Sequence, residues 1–387
     1  MAHFILIGGG IIGSTIALEL AKRGEKITVL EKEEKLGLHQ SGRNSGVIHS
    51  GINQKPGTLK AKMCVEGSRR LREYCRAHGI PMIERGTLVI ARNEKEMGVL
   101  EELFKRGTEC DVPGLTFVSK DTLRKKEPIS CGIAALLSPT GAAVDSPKLL
   151  ETIAREAKER GVEFRLYHKV IGIDGKKIKT SQGEFSADHI INCAGLEADR
   201  IAQMMGAGKG YRIIPFRGEY MEVKDCPVNT MIYQPPDLQF PFLSIHLTRE
   251  TDGKVLAGPT ATLAFGREAY FQQWDFREMA GMFGSRPFQK LLLSKEFLGL
   301  AFSNFWVSVS KRAFLKEIQS LVNGVKLDQL TTYRSGIRAQ MVDSEGRFVN
   351  DLLVESGENS THVLNAVSPG LTCSLAFAEY IVTTYLA

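Results

Sequence analysis

Three closely spaced glycines near the start of the chain constrain its fold more than any other feature. They stand in a G-x-G-x-x-G pattern at Gly8, Gly10 and Gly13. Short apolar segments of strand type lie before and after them, at 3–7 and 26–30, and a helical pattern separates the two. A strand, a glycine turn, a helix and a second strand in this order predict a Rossmann-type βαβ unit that binds a dinucleotide.

Each part of this unit has a physical role. Gly8 permits the tight turn, Gly10 lets the backbone approach a pyrophosphate, and Gly13 lets the helix pack on the strand. The free N–H groups and the dipole at the helix N-terminus favour negative charge. Glu31 ends the second strand, where an acid accepts hydrogen bonds from ribose hydroxyls. The predicted cofactor contacts of this unit are Gly8, Gly10, Ile12, Gly13, Glu31 and Lys32.

The next informative segment is a polar loop at 41–51, with the sequence SGRNSGVIHSG. The glycine motif alone does not separate FAD from NAD. An NAD enzyme normally continues its alternation of strands and helices here, whereas a flavoenzyme needs an extended polar loop beside the pyrophosphate and the flavin. We therefore predict FAD as the cofactor, with a flexible surface loop as the alternative interpretation. The predicted contacts in the loop are Ser41, Arg43, Asn44, Ser45 and Gly46.

Composition narrows the class of protein. A chain of 387 residues suggests two domains, and a net charge of +6 is compatible with an anionic substrate or an anionic membrane surface. No basic stripe with interleaved aromatic residues is present, so we expect no nucleic-acid partner. The seven cysteines have no CxxC spacing, which predicts neither a metal site nor a disulfide framework and favours a reducing, cytoplasmic compartment. The N-terminus lacks a basic leader, and no segment has the ~20 apolar residues of a membrane span.

The rest of the chain alternates between strand and helix patterns. Strands are predicted at 161–173 and 185–192, and the second ends in a turn of small residues at Ala194 and Gly195. The alternating pattern over 212–258 predicts an antiparallel sheet. The segment 268–321 is predicted to be mostly helical, and a helix is predicted near the C-terminus.

Several motifs, in order along the chain, carry a resemblance to a known family. They are SGRNSGVIHSG at 41–51, KAKMC at 60–64, IPFRGEY at 214–220, FPFLSIHLT at 240–248, GIRAQ at 336–340 and HVLNAVSPGLT at 362–372. With them the chain resembles the FAD-dependent D-amino-acid-oxidase-like superfamily and, within it, the L-2-hydroxyglutarate dehydrogenase family. Another member of the superfamily, acting on glycerol-3-phosphate or an amino acid, is the alternative.

The resemblance implies an α/β fold with two interleaved domains. A Rossmann-type FAD-binding domain would comprise residues 1–80, 145–205 and 331–387. An α+β substrate domain on a mostly antiparallel sheet would comprise residues 81–144 and 206–330. The active site would lie between them, with the N-terminus of the last helix directed at the flavin. The cofactor contacts implied in these later segments are Val170, Ala194, Gly195, Gly336, Pro369, Gly370, Leu371 and Thr372.

Oxidation of a small 2-hydroxy acid needs a base and an anchor beside the flavin, whose N5 would accept a hydride from the substrate's α-carbon. Histidine suits the base, and His49 in the loop and His246 in a family motif are both candidates. Arg338 is the candidate carboxylate anchor because a guanidinium matches a carboxylate bidentately; the alternative is a surface arginine. Arg217 is a second candidate, for a distal carboxylate, and a structural salt bridge is its alternative. The substrate is therefore expected to be a small dicarboxylate.

The segment 283–322 combines aromatic residues with lysines and arginines. This composition is typical of a helix in a membrane interface. The alternative is that the aromatic residues form a core and the charges a solvated face. If the first interpretation holds, the protein is peripheral on the inner face of the cytoplasmic membrane. Its electrons then pass to quinone, with oxygen as the slower acceptor.

Overall fold

The computed structural model describes residues 2–238, 245–271 and 273–386. Its strands are β1 (His3–Ile7), β2 (Lys26–Leu30), β3 (Val47–Ile48), β4 (Met82–Ile83), β5 (Thr87–Ala91), β6 (Thr116–Ser119), β7 (Ala134–Ser138), β8 (Ala142–Val144), β9 (Glu163–Arg165), β10 (Val170–Asp174), β11 (Lys177–Thr180), β12 (Gly183–Ser186), β13 (His189–Asn192), β14 (Arg212–Val223), β15 (Met231–Tyr233), β16 (His246–Arg249), β17 (Val255–Gly258), β18 (Thr262–Leu263), β19 (Leu330–Val342), β20 (Leu353–Gly357) and β21 (Ser360–Asn365). Its α-helices are α1 (Ile11–Lys22), α2 (Leu59–Ala77), α3 (Glu94–Glu109), α4 (Lys120–Lys126), α5 (Ser146–Glu159), α6 (Ala198–Met204), α7 (Phe276–Phe283), α8 (Arg286–Leu291), α9 (Lys295–Val309), α10 (Lys311–Leu321) and α11 (Gly370–Tyr385).

The first sheet has six strands in the order β20-β21-β13-β1-β2-β9. Strand β1 lies parallel to β2 and to β13, and β20 at the edge runs antiparallel to its neighbour. Strands β1 and β2 are almost wholly apolar because both faces of the sheet are covered: helices that include α1 pack on one face, and β10, β11 and α6 pack on the other. The predicted Rossmann-type unit is confirmed.

The glycine turn between β1 and α1 has the geometry that its sequence predicts. Gly8 has φ +105°, a conformation that favours glycine. A Cβ on Gly13 would lie 2.0 Å from the carbonyl oxygen of Gly8, so any side chain there would separate the helix from the strand. The N-terminus of α1 is thereby held close to the end of β1.

Within the described residues, the second large sheet has nine strands, in the order β18-β14-β17-β16-β15-β5-β7-β6, with β19 also paired to β14. The pairings described for it are antiparallel except that between β15 and β5. The long β14–β19 ladder sets Gly336 opposite Gly218 and Arg338 opposite Phe216. An α/β fold, with a Rossmann-type domain interleaved with an α+β part on a mostly antiparallel sheet, is therefore confirmed.

Two predicted strands are wrong in extent. The segment 161–173 forms β9 in the first sheet and β10 in a separate three-stranded sheet, because the chain turns at Tyr167, whose φ is +63°. The segment 185–192 is likewise divided between β12 and β13, which belong to different sheets. A continuous β-forming pattern cannot show where a strand changes sheets, since both parts have the same alternation.

The segment between β18 and β19 contains helices α7 to α10, which confirms the prediction of a mostly helical region there. In α9, the side chain of Phe297 is buried, whereas Phe302, Phe305 and Trp306 are exposed. Among the residues that the structure describes, no helix has both the length and the apolar character needed to span a bilayer.

Candidate active site

A cavity of about 1050 Å³ lies where the two large sheets meet. This is slightly above the range of roughly 300–1,000 Å³ that is usual for small-molecule sites. Its walls include the glycine turn, the loop at 41–51, the middle of β19 and the N-terminus of α11. Segments far apart in the sequence therefore meet at a single elongated site.

Most of the predicted cofactor contacts line this cavity. They are Gly8, Gly10, Ile12, Glu31, Lys32, Ser41, Arg43, Asn44, Ser45, Val170, Ala194, Gly195, Gly336, Pro369, Gly370 and Leu371. Gly13, Gly46 and Thr372 are not among the described lining residues. Gly13 contacts the glycine turn, a Cβ on Gly46 would lie 2.6 Å from the Val144 carbonyl oxygen, and the Thr372 hydroxyl accepts a hydrogen bond from the His49 amide. These three residues contact segments that line the cavity and thereby support its wall.

The nucleotide end of the cavity is organised around Glu31. This buried carboxylate accepts hydrogen bonds from the amides of Gly9 (2.9 Å) and Glu33 (3.1 Å), which fix its orientation. The Ser41 hydroxyl accepts a hydrogen bond from the Ile11 amide at the start of α1 (2.9 Å). The polar loop and the helix N-terminus are therefore joined at the place where a pyrophosphate is expected.

The polar loop also packs tightly against β19. A Cβ on Gly336 would lie 2.2 Å from the carbonyl oxygen of Arg43, so only glycine permits this approach. The Asn44 side chain donates to the Ser41 carbonyl oxygen (2.7 Å) and accepts from the Gly46 amide (2.7 Å). The flexible-loop alternative does not hold, because these contacts fix the conformation of the loop.

His49 and Arg338 line the opposite end of the cavity. Burial, together with the positive charge of Arg338, lowers the pKa of His49 to about 4. Burial also lowers the pKa of Arg338, while Tyr220 and Tyr233 act in the opposite direction. His49 is consequently a neutral imidazole near pH 7, next to a cation that can hold a carboxylate.

Sequence reasoning missed two tyrosines at this end. Tyr220 lines the cavity, and Tyr233 is buried with its ring stacked on that of His246, with centroids 4.1 Å apart. Burial raises the pKa of both hydroxyls, so both stay protonated and can donate hydrogen bonds. Tyr220 is the last residue of the IPFRGEY motif, and its place in that motif was the sequence signal that could have identified it.

The two remaining predicted residues, His246 and Arg217, are not among the described lining residues. His246 is buried in β16, beside Tyr233, and part of its FPFLSIHLT motif (240–244) lies outside the described residues. Arg217 forms an ion pair with Glu219 (3.2 Å), and Glu219 is also hydrogen-bonded by Ser308 of α9. Neighbouring residues of a strand point to opposite faces of the sheet. Because Gly218 and Tyr220 lie on the face that lines the cavity, Arg217 lies on the other face. Arg217 thus shows the structural salt bridge that the sequence left open.

Comparison with known proteins places this site in a family. Residues 3–384 match the family model described as FAD dependent oxidoreductase. The chain belongs to the FAD-dependent oxidoreductase family. It is 38% identical over 383 residues to L-2-hydroxyglutarate dehydrogenase of Indibacter alkaliphilus, covering 96% of each chain. It is also 36% identical to the mitochondrial L-2-hydroxyglutarate dehydrogenase of Mus musculus, covering 97% of this chain and 86% of that protein.

The fold of this flavoenzyme is also that of a solved structure. L-alpha-glycerophosphate oxidase from Mycoplasma pneumoniae with FAD bound superposes with a TM-score of 0.79 at 23% identity, over 99% of this chain and 94% of that one. The cavity fits FAD on its own geometry. The close contacts at Gly8, Gly13 and Gly336 leave no room for side chains, and the N-termini of α1 and α11 both reach the cavity, where negative charge is stabilised.

Proposed function

We propose that this flavoenzyme oxidises L-2-hydroxyglutarate to 2-oxoglutarate. The observation that carries the proposal is that neutral His49 and the half-buried Arg338 both line a cavity that fits FAD. The names of the two relatives support the choice of substrate. We also propose that the two-domain division predicted from the sequence is correct, so that the site lies between the domains.

In the proposed reaction, Arg338 binds the carboxylate next to the reacting carbon. A ring nitrogen of His49 accepts the proton of the substrate hydroxyl, because its low pKa keeps it unprotonated before the substrate binds. The hydroxyl of Tyr220 is a donor for a substrate oxygen at the same end. The bound flavin supplies the redox step by accepting two electrons as a hydride. The N-terminus of α11 stabilises negative charge near Gly370.

The substrate proposal predicts strong discrimination by size and charge. The relatives' names imply a dicarboxylate, so we propose that the cavity also binds its distal carboxylate; L-2-hydroxyglutarate should then be oxidised at least about 10²-fold more efficiently than L-lactate, which lacks that group. The measurement is kcat/KM for both acids with one artificial acceptor. L-glycerol 3-phosphate is measured in the same way, because a higher kcat/KM for it than for L-2-hydroxyglutarate would favour the alternative function. Similar kcat/KM values for L-2-hydroxyglutarate and L-lactate would show that no distal anchor exists.

For the electron acceptor we propose a membrane quinone, reached by peripheral binding at the inner face of the cytoplasmic membrane. The exposed side chains of α9 form one stripe, because Leu298, Phe302, Phe305 and Trp306 recur at helical spacing. Phe302 is 74% exposed and Leu293, just before the helix, is 82% exposed. A patch of this kind on a soluble surface marks an interaction site.

The charges around this stripe favour an anionic lipid surface as its partner. Between positions 286 and 316 the chain has Glu296 as its acid and six basic residues, namely Arg286, Lys290, Lys295, Lys311, Arg312 and Lys316. The alternative interpretation is correct for three aromatic residues of the segment, because Phe288, Phe297 and Phe314 are buried in the core. The other aromatic residues remain exposed and are available to lipid.

The membrane proposal is tested by co-sedimentation with vesicles that contain phosphatidylglycerol. We expect binding at low salt, weaker binding at high salt, and a loss of more than about tenfold in Phe302→Ser/Trp306→Ser, since burying each aromatic side chain contributes ~1.5–3 kcal/mol. Tyr167→Ser, which alters an aromatic residue exposed elsewhere, is the matched control. Absence of vesicle binding, together with oxygen turnover as fast as turnover of a soluble quinone, would identify a soluble oxidase instead.

A further inference from the structure

One segment that lines the cavity also contacts the residues that follow β2. It comprises residues 264–271 and 273–275, between β18 and α7, and we call it the strap. Much of it lines the cavity, including Gly266, Arg267, Glu268, Ala269 and Trp274. No motif in the sequence marks this segment, and its role does not follow from the proposed oxidation.

One end of the strap is fixed by a buried ion pair. Arg267 donates to both carboxylate oxygens of Asp199, with an Nη2–Oδ2 distance of 2.8 Å, and also to the Leu196 carbonyl oxygen. Burial alone would raise the pKa of Asp199, but Arg267 holds it below its ordinary value. Asp199 also accepts from the Ile213 amide (3.0 Å), so the anchor is tied to β14. This end is part of the folded core.

The other end is held by contacts at the rim of the cavity. Glu268 forms an ion pair with Lys32, and the side chains of both are partly exposed. The Tyr270 hydroxyl lies 2.5 Å from Nδ1 of His39, and the guanidinium carbon of Arg43 lies 4.2 Å from the centre of the Tyr270 ring. The contacts at Glu268 and Tyr270 join the strap to the segment 32–43, more than 200 positions away in the sequence.

The partners of the strap show which part of the cofactor it covers. Lys32 directly follows Glu31, the acid at the ribose end of the Rossmann unit. Arg43 belongs to the polar loop beside the pyrophosphate. We propose that the strap is a clasp over the adenosine half of FAD, and that the contacts of Glu268 and Tyr270 must break before the cofactor can leave. They thereby slow its release.

The clasp should control the rate of FAD release, which an ordinary surface loop would not affect. Its rim contacts would act on the rate of cofactor release, whereas the Arg267 anchor maintains the fold. An exposed ion pair is weakened by salt. Release of FAD from the unchanged protein should therefore accelerate with ionic strength, and the part due to Lys32 and Glu268 should disappear when Glu268 is neutralised.

The test uses the FAD-loaded protein without substrate, so it is independent of the proposed oxidation. After dilution, the recovery of free-FAD fluorescence gives the release rate for Glu268→Gln, Tyr270→Ala and the double variant. We expect increases of roughly threefold, fivefold and tenfold or more, in line with the modest strength of exposed ion pairs and cation–π contacts. Glu345→Gln is the matched control, because it removes an exposed ion pair with Lys290 far from the cavity.

Thermal unfolding of the apoproteins separates a clasp from a structural role. Unchanged unfolding temperatures with faster FAD release support the proposal, as does a smaller salt effect in Glu268→Gln. Release at the original rate in the double variant would overturn it. Equal acceleration by Glu345→Gln, or acceleration that only follows a lowered unfolding temperature, would overturn it as well.

Discussion

Replacing Arg338 by lysine is expected to lower kcat/KM for L-2-hydroxyglutarate roughly 10²-fold, although the positive charge is kept. A guanidinium forms two parallel hydrogen bonds with a carboxylate, and a single ammonium group on a flexible four-carbon stem cannot reproduce them. Arg338→Met should be more severe, at roughly 10³-fold, because the substrate carboxylate would be buried without a partner. The backbone of β19 is held in both variants by its long ladder with β14, in which Arg338 lies opposite Phe216.

The measurement is steady-state kinetics, with the flavin spectrum confirming that each variant retains FAD. Arg217→Lys provides the comparison, since this arginine is paired with Glu219 outside the described cavity lining. We expect an effect below about fivefold for it, because lysine keeps the positive charge that faces Glu219 and the residue does not line the described cavity. A larger loss in Arg217→Lys than in Arg338→Lys would contradict the placement of the anchor.

Removing the base should have a comparably large effect. His49→Asn is expected to lower the rate of flavin reduction roughly 10²–10⁴-fold, the usual contribution of a positioned general base. His246→Asn should be milder, because His246 is not among the described lining residues and would act through its stacking partner Tyr233. The reverse order of effects would assign the base to His246.

The pH profile gives an independent test of His49. Only its neutral form can accept a proton, so activity should be lost as the pH falls through the pKa of this group. Burial and the charge of Arg338 lower that pKa to about 4, so kcat/KM should stay level down to about pH 5. In Arg338→Met the acid limb should move to higher pH, because the cation that depresses the pKa is gone. A limb near pH 6.5 in the unchanged protein would contradict this assignment.

The nucleotide end of the site was predictable from the sequence because its geometry is local. A tight turn at Gly8, close packing at Gly13 and an acid at the end of β2 all follow from residues within one βαβ unit. Gly336 and the α11 N-terminus are distant in sequence, and the family resemblance was needed to connect them with the same cavity.

The parts that the sequence could not predict depend on which side of an element faces the cavity. Arg217 and Gly218 are neighbours in a mostly buried strand, and only the structure shows that Arg217 is paired with Glu219, which is hydrogen-bonded by Ser308 of α9. The strap was missed for a similar reason. The sequence does not show that Glu268 contacts Lys32 or that Tyr270 contacts His39, because these pairs meet only in the folded structure. The exposed stripe of α9 could likewise be recognised only from the structure, which shows that Phe297 marks the buried side of the helix.

The central claim is tested most directly by anaerobic mixing of the FAD-loaded protein with L-2-hydroxyglutarate or with its D-enantiomer. The visible absorbance of the flavin is followed with no acceptor present, so only the first half of the reaction is observed. The proposed site predicts rapid and complete bleaching by the L-enantiomer, formation of one 2-oxoglutarate for each flavin, and little bleaching by the D-enantiomer. Absence of bleaching by L-2-hydroxyglutarate, in a protein that glycerol 3-phosphate or an amino acid reduces promptly, would contradict it.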